Sequence, residues 1–210
     1  MKGLFGRLKQ PAASRDGDEY PDSVLFSTAF ADQGVDPSML VPWEARANEV
    51  GAKRLSAPRA IKLLQGLWAR DKYMSRLPTD SVSQLEQFFD FATVPANRDI
   101  VRQDEYGNFM IVLLTGSIAV DRVQPWGERL RLTETRPGDI LGEMSLLDSG
   151  KRFSVCSSLT ECDIAVLSAQ SLDEMVGVDP ALAANLVALL ARKLSLRLRM
   201  ISARLTDKKN

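Results

Sequence analysis

Histidine is missing altogether from the 210 residues, and this absence excludes more chemistry than any other count. Metal sites built from imidazoles, serine or cysteine nucleophiles activated by histidine, and most general acid–base pairs poised near neutral pH all need it. Catalysis would have to run on carboxylates or lysine alone, and no paired-carboxylate, P-loop or dinucleotide-type glycine motif supports that. The expectation is a protein that is not an enzyme, with no metal and no cofactor. Cysteine is nearly absent too. Cys156 and Cys162 fall in strand-like stretches of a chain without a signal-peptide pattern, so reduced, buried thiols in a cytoplasmic protein are expected. No apolar run approaches the length needed to cross a bilayer, so no transmembrane segment is expected. Charge of one sign is lacking as well: Lys plus Arg and Asp plus Glu both count 27. No overall field therefore favours nucleic acid or an acidic lipid surface.

What is present is enough apolar material, 45 % of the chain, for one good core and an accessory segment. Residues 1–56 are irregular and polar, with Pro11, Pro21, Pro37 and Pro42 and an acidic patch at Asp16, Asp18 and Glu19, a composition that predicts a flexible N-terminal arm. Its first nine residues, MKGLFGRLK, set Leu4, Phe5 and Leu8 among cations. That stretch buries little apolar area, so a frayed terminus is preferred over a membrane or groove contact. Residues 57–79 read as an accessory helical segment. Ser56 is a candidate cap, Pro58 suits the first turn, and Ile61, Leu64, Leu67 and Trp68 recur at helical spacing. A second short helix is expected after Pro78, capped by Asp80, with Leu85, Phe88 and Phe89 as its apolar face.

From residue 91 to 168 the period changes to that of strands. FATVP, DIVRQ, NFMIVLL, SIAVDRV, ERLRLTE, GDIL, RFSVCSS and DIAVLS are short and β-branched or alternating, with proline, asparagine and glycine turns between them. About eight such strands predict a mainly β protein with flanking helices: an antiparallel jelly-roll barrel between N-terminal helices and a long C-terminal helix. Ser171 opens a short segment, SLDEMVG, and the last helix begins at Asp179–Pro180 and runs unbroken to Leu205. It carries two apolar stripes: Leu182, Leu186, Leu189, Leu196 and Met200, and opposite them Val187, Leu190, Leu194, Leu198, Ile201 and Leu205. One stripe can cover the barrel, and the other is expected to form the seam of a homodimer. The competing reading buries both stripes within one chain, the second against the helix that starts near residue 57.

The loop Gly142-Glu143-Met144-Ser145-Leu146-Leu147-Asp148-Ser149-Gly150-Lys151-Arg152 holds the candidate chemistry. Gly142, Ser149 and Gly150 permit tight turning, a short helical turn adds its positive end, and Arg152 offers a fork that matches two phosphate oxygens. Glu143 would repel a phosphate but can accept a hydrogen bond from an adjacent hydroxyl, and phosphate beside sugar hydroxyl is a nucleotide. A plain Glu143–Arg152 ion pair closing an ordinary loop is the competing reading of the same residues.

Three spaced motifs in order carry a resemblance. The loop followed by Arg152 resembles the phosphate-binding cassette of the cyclic nucleotide-binding domain family. Leu114-Thr115-Gly116-Ser117-Ile118-Ala119-Val120 and Pro137-Gly138-Asp139-Ile140-Leu141-Gly142-Glu143 resemble the family's glycine turn and its approach to the cassette. Coverage runs from about residue 80 to 206. The resemblance implies a stand-alone second-messenger sensor in which Glu143 binds the ribose hydroxyl, Arg152 binds the cyclic phosphate, and main-chain N–H groups near Gly142, Met144 and Ser145 line the site. It also implies that the long helix moves on binding and relays the signal to a protein partner, as yet unidentified. Two positions depart from the pattern. Phe153, with Ser154 next, stands where the family places a small residue after the arginine, and Arg197 with Leu198 falls where bacterial activators read adenine. The ligand is therefore open among cyclic AMP, cyclic GMP and cyclic di-GMP, with Arg197 stacking on a base, binding a second phosphate or remaining a solvated charge. The alternative function is a degenerate module that keeps the fold for assembly and binds no nucleotide. Because the sequence stops soon after Leu205, DNA binding by a following helix-turn-helix is not expected.

Overall fold

The computed structural model describes residues 25–72, 75 and 84–207. The first nine residues and the helix start expected at Pro78 and Asp80 lie outside the described residues. Among the described residues nine strands form two antiparallel sheets. One has the order β1 (Lys53–Arg54), β2 (Asp90–Val94), β9 (Cys162–Ser168), β4 (Phe109–Leu113), β7 (Ile140–Leu141). The other runs β3 (Asp99–Val101), β8 (Val155–Ser158), β5 (Ile118–Val123), β6 (Arg129–Glu134). All eight strand-like stretches of the sequence form strands, and β1 adds a ninth from the region read as an arm.

The first sheet is buried on both faces, which explains the continuous apolar run of β4. Phe109, Ile111 and Leu113 point into the space between the sheets, joined there by Ile164 and Val166 of β9 and by Ile100, Ile118 and Cys156 of the second sheet. Met110 and Val112 point the other way, onto a helical layer. That layer holds α3 (Ala57–Trp68), a 3-10 turn at Leu85–Phe88, α5 (Ala169–Val178) and α6 (Pro180–Asp207). Its core combines Leu64, Trp68, Leu85, Phe88, Phe89, Leu172 and Leu186. With each such side chain contributing about 1.5–3 kcal/mol on burial, this layer is integral to the domain. Between β7 and β8 lies α4 (Glu143–Asp148), the short helical turn expected within the glycine-flanked loop. Cys156 and Cys162 are buried and unpaired with each other, and burial pushes the Cys156 thiol up to about 12.

Three local details differ from the sequence reading. Ser56 has the extended backbone of a cap, yet its hydroxyl makes no capping bond to α3. α5 starts ahead of Ser171, because the Ser168 hydroxyl accepts the Ser171 N–H at 3.0 Å. The apolar residues of α6 divide along its length rather than between two stripes. Leu182, Ala183, Leu186, Leu189 and Leu190 are buried, whereas Leu196, Leu198, Met200 and Ile201 are exposed. The apolar side chains of the first half lie on the barrel layer and those of the second half face solvent, so a stripe assignment made from angle alone could not separate them.

The largest departure concerns the arm. From residue 25 onward it is folded: α1 (Ala29–Asp32), a 3-10 turn at Pro37–Met39 and α2 (Trp43–Val50) precede β1. Asp173 of α5 accepts hydrogen bonds from the Leu25, Phe26 and Ser27 N–H groups and from the Ser27 hydroxyl, all at 2.7–2.9 Å. Phe30, Val35, Trp43 and Val50 are buried. Such a segment has too few apolar residues to fold alone, and its order comes from surfaces that a local reading does not contain.

Candidate functional site

Gly142, at the N-cap of α4, has φ +74°, the left-handed region that glycine enters at little cost. This turn swings Glu143 inward, where it is buried. At the other end of α4 Ser149 also takes a positive φ, of 55°, and the chain returns as Lys151 and Arg152 toward β8. The cassette is thus a tight loop with its two charged residues directed into the protein.

Arg152 is buried beneath the loop it closes. Its Nη1 donates to the Gly142 carbonyl at 2.7 Å and its Nη2 to the Phe109 carbonyl at 2.6 Å. The guanidinium carbon lies 4.6 Å from the Phe109 ring centre, a cation–π geometry. Gly107 and Gly142 leave the room for it: a Cβ at either would stand 2.6 or 2.5 Å from guanidinium nitrogens. Burial pushes the Arg152 guanidinium down to about 10, which still leaves it charged at neutral pH.

Glu143 forms its ion pair with Arg197 of α6 and not with Arg152. Arg197 also donates to the Ile140 carbonyl at 2.7 Å. Burial raises the Glu143 carboxyl above the ordinary glutamate range, and the attraction of Arg197 and then Arg152 opposes it. The two arginines therefore share one field around one carboxylate, and the second comes from the long helix. One turn earlier on α6, Lys193 donates to the Gly138 carbonyl at 3.2 Å and lies 3.7 Å from Asp71. The helix is thus tied to the cassette and to the loop that leads into it.

The other expected positions are scattered around this centre. Met144 and Phe153 are exposed, and Ser145 is buried. The Ser154 hydroxyl faces the Cys156 thiol. Phe153 does not fill the cassette. Its ring lies outside, stacked under Arg122 of β5 at 4.6 Å, and its carbonyl accepts a bond from the same arginine. Arg122, Phe109 and Gly107 are participants that sequence reasoning missed. Only Gly107 left a trace, as a turn residue next to Tyr106, and nothing in the strand pattern singles out the other two.

Among the described residues no cluster of three His, Cys, Asp or Glu side chains could hold a metal, and no helix is long and apolar enough to cross a membrane. The geometry can hold an anion beside a hydroxyl-bearing group, if Arg152 and Glu143 exchange internal partners for external ones.

Comparison with known proteins agrees with this arrangement. Residues 91–179 match the sequence model of the cyclic nucleotide-binding domain. A cyclic AMP receptor protein of Thermus thermophilus is 28 % identical over 118 residues, 56 % of this chain and 55 % of that protein. The cAMP-activated global transcriptional regulator CRP of Escherichia coli is 27 % identical over 101 residues, 48 % of each. The chain spans about half the length of these curated relatives. A cyclic nucleotide-binding domain from Methylobacillus flagellatus shares the fold with a TM-score of 0.68 at 22 % identity, over 75 % of this chain and 89 % of that one. The catabolite activator protein of Thermus thermophilus aligns with a TM-score of 0.53 at 26 % identity, over 65 % and 63 %. Residues 91–179, with the cassette between β7 and β8, accordingly belong to the cyclic nucleotide-binding domain family.

Proposed function

We propose that the protein is a second-messenger sensor that binds a cyclic nucleotide at the cassette and relays its occupancy through α6. The observation that carries the reading is the Glu143–Arg197 pair, which joins the ribose-binding position to the long helix. In the bound state Arg152 takes the cyclic phosphate and Glu143 accepts from the ribose hydroxyl, with Gly142, Met144 and Ser145 at the loop backbone and Phe153, Ser154 and Arg197 around it. A ligand hydroxyl that donates to Glu143 competes with Arg197 for the same carboxylate, so binding weakens the tether and shifts the helix population. Relatives named as cyclic AMP receptors support an adenine ligand. Cyclic GMP and cyclic di-GMP stay in the test because Arg197 offers only donors, which suit the acceptor edge of guanine. The sensor is read as a cytoplasmic binding module without catalysis, with a protein partner downstream. The exposed Leu196, Leu198, Met200 and Ile201 form the seam of a homodimer in this reading.

A second reading has its own observation: Arg152 already spends two donors on carbonyls, as expected of a cassette retained for structure in a degenerate assembly module. Calorimetric titration with cyclic AMP, cyclic GMP and cyclic di-GMP separates the two. Micromolar or tighter binding to one of them, weakened roughly 30-fold or more in Arg152→Ala, is expected of the sensor, since truncating a charged partner costs about 2–5 kcal/mol. No binding to any of the three overturns it in favour of the assembly module.

A further inference from the structure

Upstream of the segment that matches the family, α2 is built against the cassette arginine along two routes. Trp43 stands edge-on to the Phe109 ring with centroids 5.6 Å apart, and this ring and its carbonyl hold the Arg152 guanidinium. Arg46, 1 % exposed, donates to Glu49 at 2.6 Å and forms a second ion pair with Glu105. The Glu105 carbonyl accepts the Arg152 N–H at 2.8 Å, and the Asp104 N–H donates to the Arg152 carbonyl at 2.9 Å. One route therefore ends on the side chain of Arg152 and the other on its backbone.

A buried guanidinium is a poor way to gain stability, because apolar residues of similar size do as well or better once desolvation is counted. Arg46 moreover leaves its Nε without a hydrogen-bond partner. Its placement is explained by what it orders. Alongside burial, Arg46 acts to lower the Arg152 pKa, so the two guanidinium groups sense each other, and an anion at Arg152 relieves their repulsion.

We propose that Trp43 and Arg46 are positioning residues for the phosphate-reading arginine, so that the binding site extends into the N-terminal segment. The proposal rests on the sensor reading. α2 holds Phe109 and Glu105, and these keep the Arg152 side chain and backbone beside the cassette loop, from where the fork exchanges its carbonyl partners for a phosphate. Neither α2 residue touches the ligand.

The test is a double-mutant cycle on the full chain, with affinities for cyclic AMP, cyclic GMP and cyclic di-GMP measured for wild type, Arg46→Gln, Arg152→Lys and the pair. Arg152→Lys keeps the charge and loses the fork, which leaves binding measurable. Arg46→Gln is expected to weaken binding roughly tenfold in the wild type and to have little further effect beside Arg152→Lys, as coupled residues behave. Equal losses in both backgrounds would show a purely structural role and overturn the proposal, as would unchanged affinity in Arg46→Gln. Trp43→Phe, which keeps the apolar contact, repeats the cycle along the other route and decides the matter if Arg46→Gln does not fold. A wild type that binds none of the three nucleotides removes the sensor reading and this proposal together, whereas a binding wild type with additive losses removes this proposal alone.

Discussion

Replacing Arg197 with alanine tests the link between cassette and helix directly. In the ion pair Glu143 is 5 % exposed by side chain and Arg197 39 %. Breaking a fully buried pair costs about 3–5 kcal/mol, because a charge is left alone in a poor solvent. Here the half-exposed arginine is screened by water, and the freed carboxyl can take a proton, so the cost falls to about 1–2 kcal/mol. For a chain of this length that is a fall of roughly 2–8 °C in Tm. Scanning calorimetry of the wild type and Arg197→Ala checks the magnitude. Hydrogen exchange checks the role: cyclic nucleotide should change the protection of residues 191–203 in the wild type and leave it unchanged in the variant. An unchanged Tm, together with the same ligand-induced change in exchange in both proteins, would refute the tether.

Four further outcomes follow from named contacts. Burial raises the Glu143 carboxyl, so the folded state binds its proton more tightly than the unfolded chain; its contribution is full below the unfolded value and is lost as pH rises through the folded one. The Tm of the wild type relative to Glu143→Gln should therefore fall as pH rises above the ordinary glutamate value of about 4, and a constant difference would contradict the raised carboxyl. Gly142→Ala places a Cβ 2.5 Å from Arg152 Nη1 at φ +74°, so a loss of about 1–3 kcal/mol and weaker nucleotide binding are expected from denaturant titration and calorimetry. Asp173→Ala removes the acceptor of four hydrogen bonds, and limited proteolysis should then cut first between residues 25 and 50, at a stability cost of about 2–3 kcal/mol. Leu198→Asp with Ile201→Asp should lower the mass measured by light scattering while leaving Tm within about 2 °C at fixed low concentration, since both positions are exposed in one chain.

The strands were legible because their information is local. Each of the eight stretches alternates or runs apolar between turn residues, and glycines such as Gly116 and Gly142 sit where positive φ is needed. The cassette was legible for a related reason: a glycine, a carboxylate and an arginine at short spacing can act together only if the loop between them folds back. Glu143 and Arg152 do meet in one field, although not as each other's partners. The partner of Glu143 is 54 residues away, and sequence distance carries no sign of it. Phe153 departs from the family's small residue, yet its ring lies outside the cassette against Arg122 of β5.

Sequence alone was enough for the eight strands from residue 90 onward, their order and the long last helix, because period and turn residues act over a few residues. Tertiary structure alone decided how those elements are used. It placed the first half of α6 on the barrel layer, tied Arg197 to the cassette and left Leu196, Leu198, Met200 and Ile201 exposed. It also ordered residues 25–56 through Asp173, Tyr106 and Glu105, contacts that no window of that segment contains. A polar segment becomes structured when a surface made elsewhere satisfies its backbone and buries its few apolar residues, and that surface exists only after the rest of the chain has folded.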